Sequence, residues 1–190
     1  MNESDEIEHD VARYDSLCRE KAEAEVAAAD GLVPGAVRVR PVGDVLADVV
    51  LVKGEPAEAD RAAGTVLAGA DGEAATKALD ALGLSARRFA VCSRPGRSSA
   101  AVRTQRLALI IEAVDPEVVI ALDSVAAADV AAALGSPTLA SGRPLRLRGR
   151  TVLRLDGLEA SLGDEKMKRR VWRQLQTLAP SASEAHSGRP

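Results

Sequence analysis

Four short runs, Val49–Val52, Arg88–Cys92, Val118–Leu122 and Thr151–Leu155, concentrate the aliphatic and β-branched residues of the chain. Runs that are apolar on both faces read as buried strands of a parallel sheet. Between them the period changes. Ala74, Ala78, Leu79 and Leu82 recur at helical spacing over 73–82, and Leu107, Ile110, Ile111 and Val114 do so over 100–114. An alanine-rich helix over 124–134 and a last helix over 165–178 complete the set. Gly83 and Gly135 stop two of these helices, Asp115-Pro116 ends another, and Asp123-Ser124 is placed to cap the start of the alanine-rich one. Strands alternating with helices predict an α/β fold: a three-layer α/β/α sandwich around a four-stranded, mainly parallel sheet with right-handed crossovers. From Leu145 to Leu155 apolar and basic residues alternate around Gly149, the pattern of a hairpin or extended pair.

The flanks differ in character. Residues 1–9 are acidic and expected to fray, while 11–29 form a helix whose thin apolar face predicts a peripheral position. Ala36–Arg40 alternates as a short edge strand would. The expected organisation is an acidic helical segment over 1–35, an α/β domain over 36–179 and a disordered tail over 180–190.

Composition narrows the function classes. One Trp, one Tyr and one Phe in 190 residues leave a core of Ala, Val, Leu and Ile. They also leave few rings for base stacking, the usual grip on single strands. Cys18 and Cys92 lie far apart and form no ligand motif, so no disulfide framework and no metal site is indicated. With no apolar leader and no run of membrane-spanning length, the expected location is cytoplasmic and no membrane partner is expected. The net charge of −3 hides an asymmetry: residues 1–30 are strongly acidic, and residues 138–173 carry Arg143, Arg146, Arg148, Arg150, Arg154, Lys166, Lys168, Arg169, Arg170 and Arg173 against four acids. Such a division marks either a polyanion-binding face or an ordinary solvated surface.

The stretch organising the chain is 49–72, a strand followed by a loop containing Gly54, Gly64, Gly69 and Gly72 and then a helix. Open α/β sheets place ligands beyond the carboxyl ends of their strands, in loops of this kind. Glu55 and Asp60 in that loop are candidates to orient a water or bind a polar ligand, or else form a solvated acidic loop. Cys92, at a strand end, is a reactive thiol or a small buried hydrophobe.

The loops carry a further pattern. Gly54-Glu55-Pro56-Ala57 is followed by Glu58 and Asp60, then Gly64-Thr65-Val66-Leu67-Ala68-Gly69-Ala70-Asp71-Gly72, then Gly83-Leu84. Later come Arg94-Pro95-Gly96, the strand Asp115–Asp123, and a closing helix containing Met167-Lys168-Arg169-Arg170-Val171-Trp172. In order and spacing, the chain from about Val49 to Leu178 resembles the uracil-DNA glycosylase superfamily, most closely its iron–sulfur-containing branch. The resemblance implies a base pocket built from Gly54, Pro56, Leu67, Gly69 and Cys92. It implies DNA contacts from Arg94, Arg97, Arg150, Lys166, Lys168, Arg169 and Arg170, some of which flank the place of the family's DNA-intercalating loop.

The departures fall on the working positions. The family's base-stacking Phe falls at Leu67, and its pyrimidine-reading Asn at Cys92 or Ser93. Its His-Pro-Ser loop is replaced near Asp156-Gly157-Leu158-Glu159, leaving Asp156 as the polar candidate there. His9 and His186 sit in the flanks, and two cysteines cannot hold a cluster that takes four, so no cofactor is expected. Base excision needs a flipped base held by stacking and edge hydrogen bonds. Leucine has no π-face, a thiol is a weak donor, and losing one oxyanion-type donor alone costs about 100- to 1000-fold in rate.

The expectation is therefore a catalytically degenerate glycosylase-like protein, retaining a DNA- or ligand-binding role linked to repair. Two alternatives stand beside it. One is an active glycosylase with altered base specificity, using Glu55, Asp60 or Asp156. The other is an interaction scaffold whose acidic helix docks a protein partner.

Overall fold

The computed structural model describes residues 3–33, 35, 39–84 and 87–179. Helix α1 (Glu3–Asp30) leads into a two-residue strand β1 (Val42–Gly43) and the central strand β2 (Val49–Lys53). Two helices follow, α2 (Glu58–Ala63) and α3 (Ala70–Ala81), then β3 (Arg88–Cys92), α4 (Ala100–Val114), β4 (Val118–Ala121) and α5 (Ser124–Leu134). The hairpin β5 (Leu145–Leu147) and β6 (Arg150–Arg154) precedes a short α6 (Leu158–Ser161) and the last helix α7 (Glu165–Leu175), closed by a 3₁₀ turn over Gln176–Leu178.

The sheet is six-stranded and mixed, in the order β1-β3-β2-β4-β6-β5. This corrects the expected four-stranded sheet. The four apolar runs form its centre, all parallel, while β1 pairs antiparallel with β3 at one edge and β5 antiparallel with β6 at the other. Both added strands are short and largely exposed, so no buried apolar pattern announces them. The predicted strand over Ala36–Arg40 lies partly, and the tail over 180–190 wholly, outside the described residues; Arg40 makes an isolated parallel bridge to Thr65.

Alternation along the strands sorts the core into two layers. Val50, Val52, Phe89, Val91, Val119, Ala121 and Val152 face α4 and α5, meeting Leu107, Ile110, Ile111 and Val130. Val49, Leu51, Ala90, Cys92, Ile120, Leu153 and Leu155 face the other way, onto Leu79, Leu158, Val171 and Leu175. Helices therefore lie on both faces of the sheet.

The first helix is more than peripheral. Ala22, Val26 and Ala29 are buried in the α4 layer, and Asp30 at its end meets Arg106, whose side chain is wholly buried. Arg106 donates to Asp30 Oδ1 from Nη2 at 2.6 Å and Nε at 3.0 Å, and to the Cys92 carbonyl from Nη1 at 2.8 Å. The N-terminal half continues outward, with Ile7, Val11, Tyr14 and Leu17 exposed.

Candidate functional site

Because β2 pairs with β3 on one side and β4 on the other, the chain leaving β3 must cross over, and a crevice opens where the two directions part. A hollow of about 520 Å³ lies there, at the carboxyl ends of β2, β4 and β6. Its walls include Lys53, Asp71, Asp123, Asp156 and Glu159.

Lys53 ends β2 pointing into this region at 3% exposure. Its ammonium meets Asp60 Oδ2 at 2.7 Å, Asp71 Oδ2 at 2.6 Å and Glu159 Oε2 at 3.1 Å. Burial by itself would lower the lysine's pKa, but hydrogen bonds to the three carboxylates outweigh it and hold the value above that of an ordinary lysine. Asp60 is fully buried, and burial would raise its pKa. The Lys53 ammonium and the amides of Ala57 and Ala68, at 2.8 and 2.9 Å, reverse this and keep it below the usual carboxylate range. Asp60 is thereby the post that the loop is wound around. Its three hydrogen bonds are all internal and its side chain has no exposed surface, which leaves no access for a water to be activated.

The turn after Lys53 is equally committed. The Gly54 amide donates to Asp123 Oδ2 at 2.8 Å, while Asp123 Oδ1 caps α5 by accepting from the Ala126 amide. The Gly54 carbonyl receives the Arg94 amide at 3.0 Å and the Cys92 thiol at 3.1 Å. A side chain at Gly54 would come within 2.6 Å of both Asp123 Oδ1 and Val125 Cβ, so the close approach of the two loops requires glycine. Burial pushes the Cys92 thiol up to about 12, and the side chain is fully enclosed. It is a core residue with a hydrogen bond, not a nucleophile. Ser93 Oγ donates to Asp129 Oδ2 at 2.7 Å, and Arg94 grips the same carboxylate at 2.9 and 3.2 Å.

Of the remaining candidates, Glu55 is exposed on the rim, 3.7 Å from Arg94. Asp156 accepts a short hydrogen bond from Ser141 and pairs with Arg170 at 3.4 Å. The Ser141 hydroxyl chiefly holds its carboxyl below the usual range, against partial burial, with help from Gln174 and Arg170.

The expected base pocket is not gathered into one cavity. Pro56 lines a hollow beside Arg94 and Arg97, whereas Leu67 and Gly69 line another with Val42, Thr76 and Arg88. Gly54 and Cys92 are buried, and Asp156 belongs to the crevice. Leu67 takes a left-handed backbone, φ 57°, and packs partly onto the core, not toward Asp156.

The expected DNA contacts also separate. Arg150 begins β6 at the opposite end of the sheet, nearly buried and paired with Glu112 at 3.1 Å and Asp115 at 2.7 Å. It is an internal ion-pair residue, corrected here from a DNA-contact candidate. Arg97 is exposed. On α7, Lys166, Arg169 and Arg170 are exposed, as is Arg173; their spacing of three and four residues aligns them opposite the buried Val171 and Leu175. Lys168 leans instead on Glu165 at 2.7 Å.

The sequence does not mark Lys53, Asp71, Asp129 and Glu159 as site residues, and it marks Asp123 only as a helix cap. The signal for the first was present: a lysine closing an all-apolar strand is buried, and buried charge demands partners. Among the described residues no group of three or more histidine, cysteine or carboxylate side chains is disposed to hold a metal ion. Cys18 and Cys92 are both free, which does not fit a four-thiolate cluster. No described helix is long and apolar enough to cross a membrane. No protein-family model matches the chain, and no curated protein matches it.

Proposed function

We propose that this chain is a uracil-DNA glycosylase-like protein that has lost base excision and retains a nucleic-acid-binding role. The reading rests on the loop resemblance and is supported by four parallel central strands, with the segments Gly54–Gly72 and Arg94–Gly96 leaving the carboxyl ends of β2 and β3. The observation that carries the loss of catalysis is the closed bonding of the crevice. Asp60 is held by Lys53 and two amides, Asp156 by Ser141 and Arg170, and Cys92 by the Gly54 carbonyl. Among the described residues two exposed carboxylates reach the crevice: Glu159, which turns Oε2 onto Lys53 at 3.1 Å, and Glu55, which has no histidine or side-chain amide beside it in the crevice lining.

Binding is assigned to the basic row on α7. Phosphate contacts from Lys166, Arg169, Arg170 and Arg173 would give sequence-independent affinity that falls with salt. The test has two arms. Purified protein should release no free uracil from single- or double-stranded DNA, and none of several other damaged bases. It should bind DNA at low salt, with an affinity that declines as salt rises. Excision of any base overturns the loss of catalysis, and absence of binding at low salt overturns the nucleic-acid role. The second outcome would favour the scaffold reading, for which the exposed row Ile7, Val11, Tyr14 and Leu17 on α1 speaks.

A further inference from the structure

On the other side of Glu55 from the crevice, a larger hollow of about 820 Å³ is lined by Arg61, Arg94, Arg97 and Arg103, with Pro95, Gly96 and Ser98 between them. Its character is opposite to that of the crevice: four guanidinium groups against the single rim carboxylate of Glu55. Arg94 is matched by Asp129 behind it. Among the described residues Arg61, Arg97 and Arg103 have no carboxylate partner. Arg103 Nη1 donates to the Ser98 carbonyl at 2.6 Å, which fixes the side chain along the wall. Its Nε and the Ser98 hydroxyl are buried without a hydrogen-bond partner among the described residues. Buried polar atoms are rarely left so. Ser98 and Arg103 flank the start of the 15-residue helix α4, whose N-terminal end adds partial positive charge.

We propose that this hollow binds a phosphate monoester, with Arg61 and Arg97 closing on the phosphate from the rim and Arg103 Nε and Ser98 Oγ serving as recessed donors. Guanidinium forks match phosphate oxygens, and a dianionic terminal phosphate suits several unpaired arginines better than a monoanionic diester does. The concave shape also favours an end group over the continuous backbone of a strand. Two sources share this chemistry, a free nucleotide and the phosphorylated end of a nucleic-acid strand. The inference stands on the hollow's own residues and does not require the reading of α7 as a DNA contact.

The experiment follows arginine Nε–Hε resonances of the full chain while inorganic phosphate, adenosine 5′-monophosphate, and a 5′-phosphorylated or 5′-hydroxyl oligonucleotide are added in turn. The expected result is a saturable shift of the Arg103 signal with the phosphomonoesters. The double variant R61A/R97A, altered only at exposed rim residues, should bind adenosine 5′-monophosphate about tenfold more weakly or worse, while K77A, at an exposed residue of α3, leaves that affinity unchanged. A response to the nucleotide alone supports the proposal with a soluble ligand, and one to the 5′-phosphorylated strand but not its hydroxyl counterpart supports it with a strand end. No Arg103 shift with any phosphomonoester, or equal affinity in R61A/R97A, overturns it. Nucleotide binding by a protein that ignores DNA would keep this site and sink the preceding reading.

Discussion

Lys53 Nζ donates to Asp71 Oδ2 at 2.6 Å, joining the end of β2 to the first turn of α3, eighteen positions further along the chain. With Asp60 on the same ammonium, a charged cluster takes the place that an apolar plug fills elsewhere in the core. Removing its cation should be severe. Lys53→Met leaves two buried carboxylates unmatched, and the expected loss is about 3–5 kcal/mol in the free energy of unfolding, read from denaturant midpoints. A loss under about 1 kcal/mol would show that water reaches the cluster freely.

The same cluster sets the pH range of stability. Asp60 has a depressed pKa in the folded chain, so its contribution is present above the unfolded carboxylate value of about 3.9 and is lost as pH falls below it. Lys53 has a raised one, so its contribution is intact below about 10.4 and drains away as pH rises beyond. Denaturant midpoints plotted against pH should form a plateau with an acid and an alkaline shoulder. In Lys53→Met the alkaline shoulder should flatten, and an unchanged shoulder would assign it to other groups.

The two thiols should behave differently toward an aromatic disulfide reagent at neutral pH. Cys18 is partly exposed on α1, whereas Cys92 is enclosed and its thiol is pushed up to about 12. Native protein should expose one titratable thiol, and denaturant should release the second. Rapid modification of Cys92 in the folded chain would contradict its role as a core residue.

Glycine positions offer a steric test. A Cβ at Gly72 would stand 1.9 Å from the Leu67 carbonyl oxygen, while one at Gly163 meets nothing within 4 Å. Gly72→Ala should cost roughly 1–3 kcal/mol through forced backbone movement, and Gly163→Ala little. Thermal midpoints of the two variants, measured side by side, make the comparison.

How far the chain could be read in advance depends on what each residue answers to. The four core strands were legible because Val49–Val52 and its counterparts are apolar on both faces, and the cap at Asp123 because short-range geometry alone demands it. The edge strands were not, since Val42–Gly43 has almost no burial to encode. At the site, Asp60 was found but its role was inverted: spacing cannot reveal that Lys53, seven residues earlier, folds back onto it. Leu67 was placed as a stand-in for an aromatic ring, yet its left-handed backbone turns it into a different hollow, a dihedral that no pattern of apolar residues specifies. Arg150 looked like surface charge because its acidic partners lie 35 and 38 residues away.

The grip of Arg106 on Asp30 spans seventy-six residues. During synthesis the acidic helix is therefore complete long before its anchor exists, and its outer half has few apolar neighbours of its own to hold it. It must wait, marginally helical, until α4 leaves the ribosome, and only then can the guanidinium enter the core already neutralised. Closure of that half of the molecule is thus timed by a residue that is synthesised seventy-six positions after Asp30.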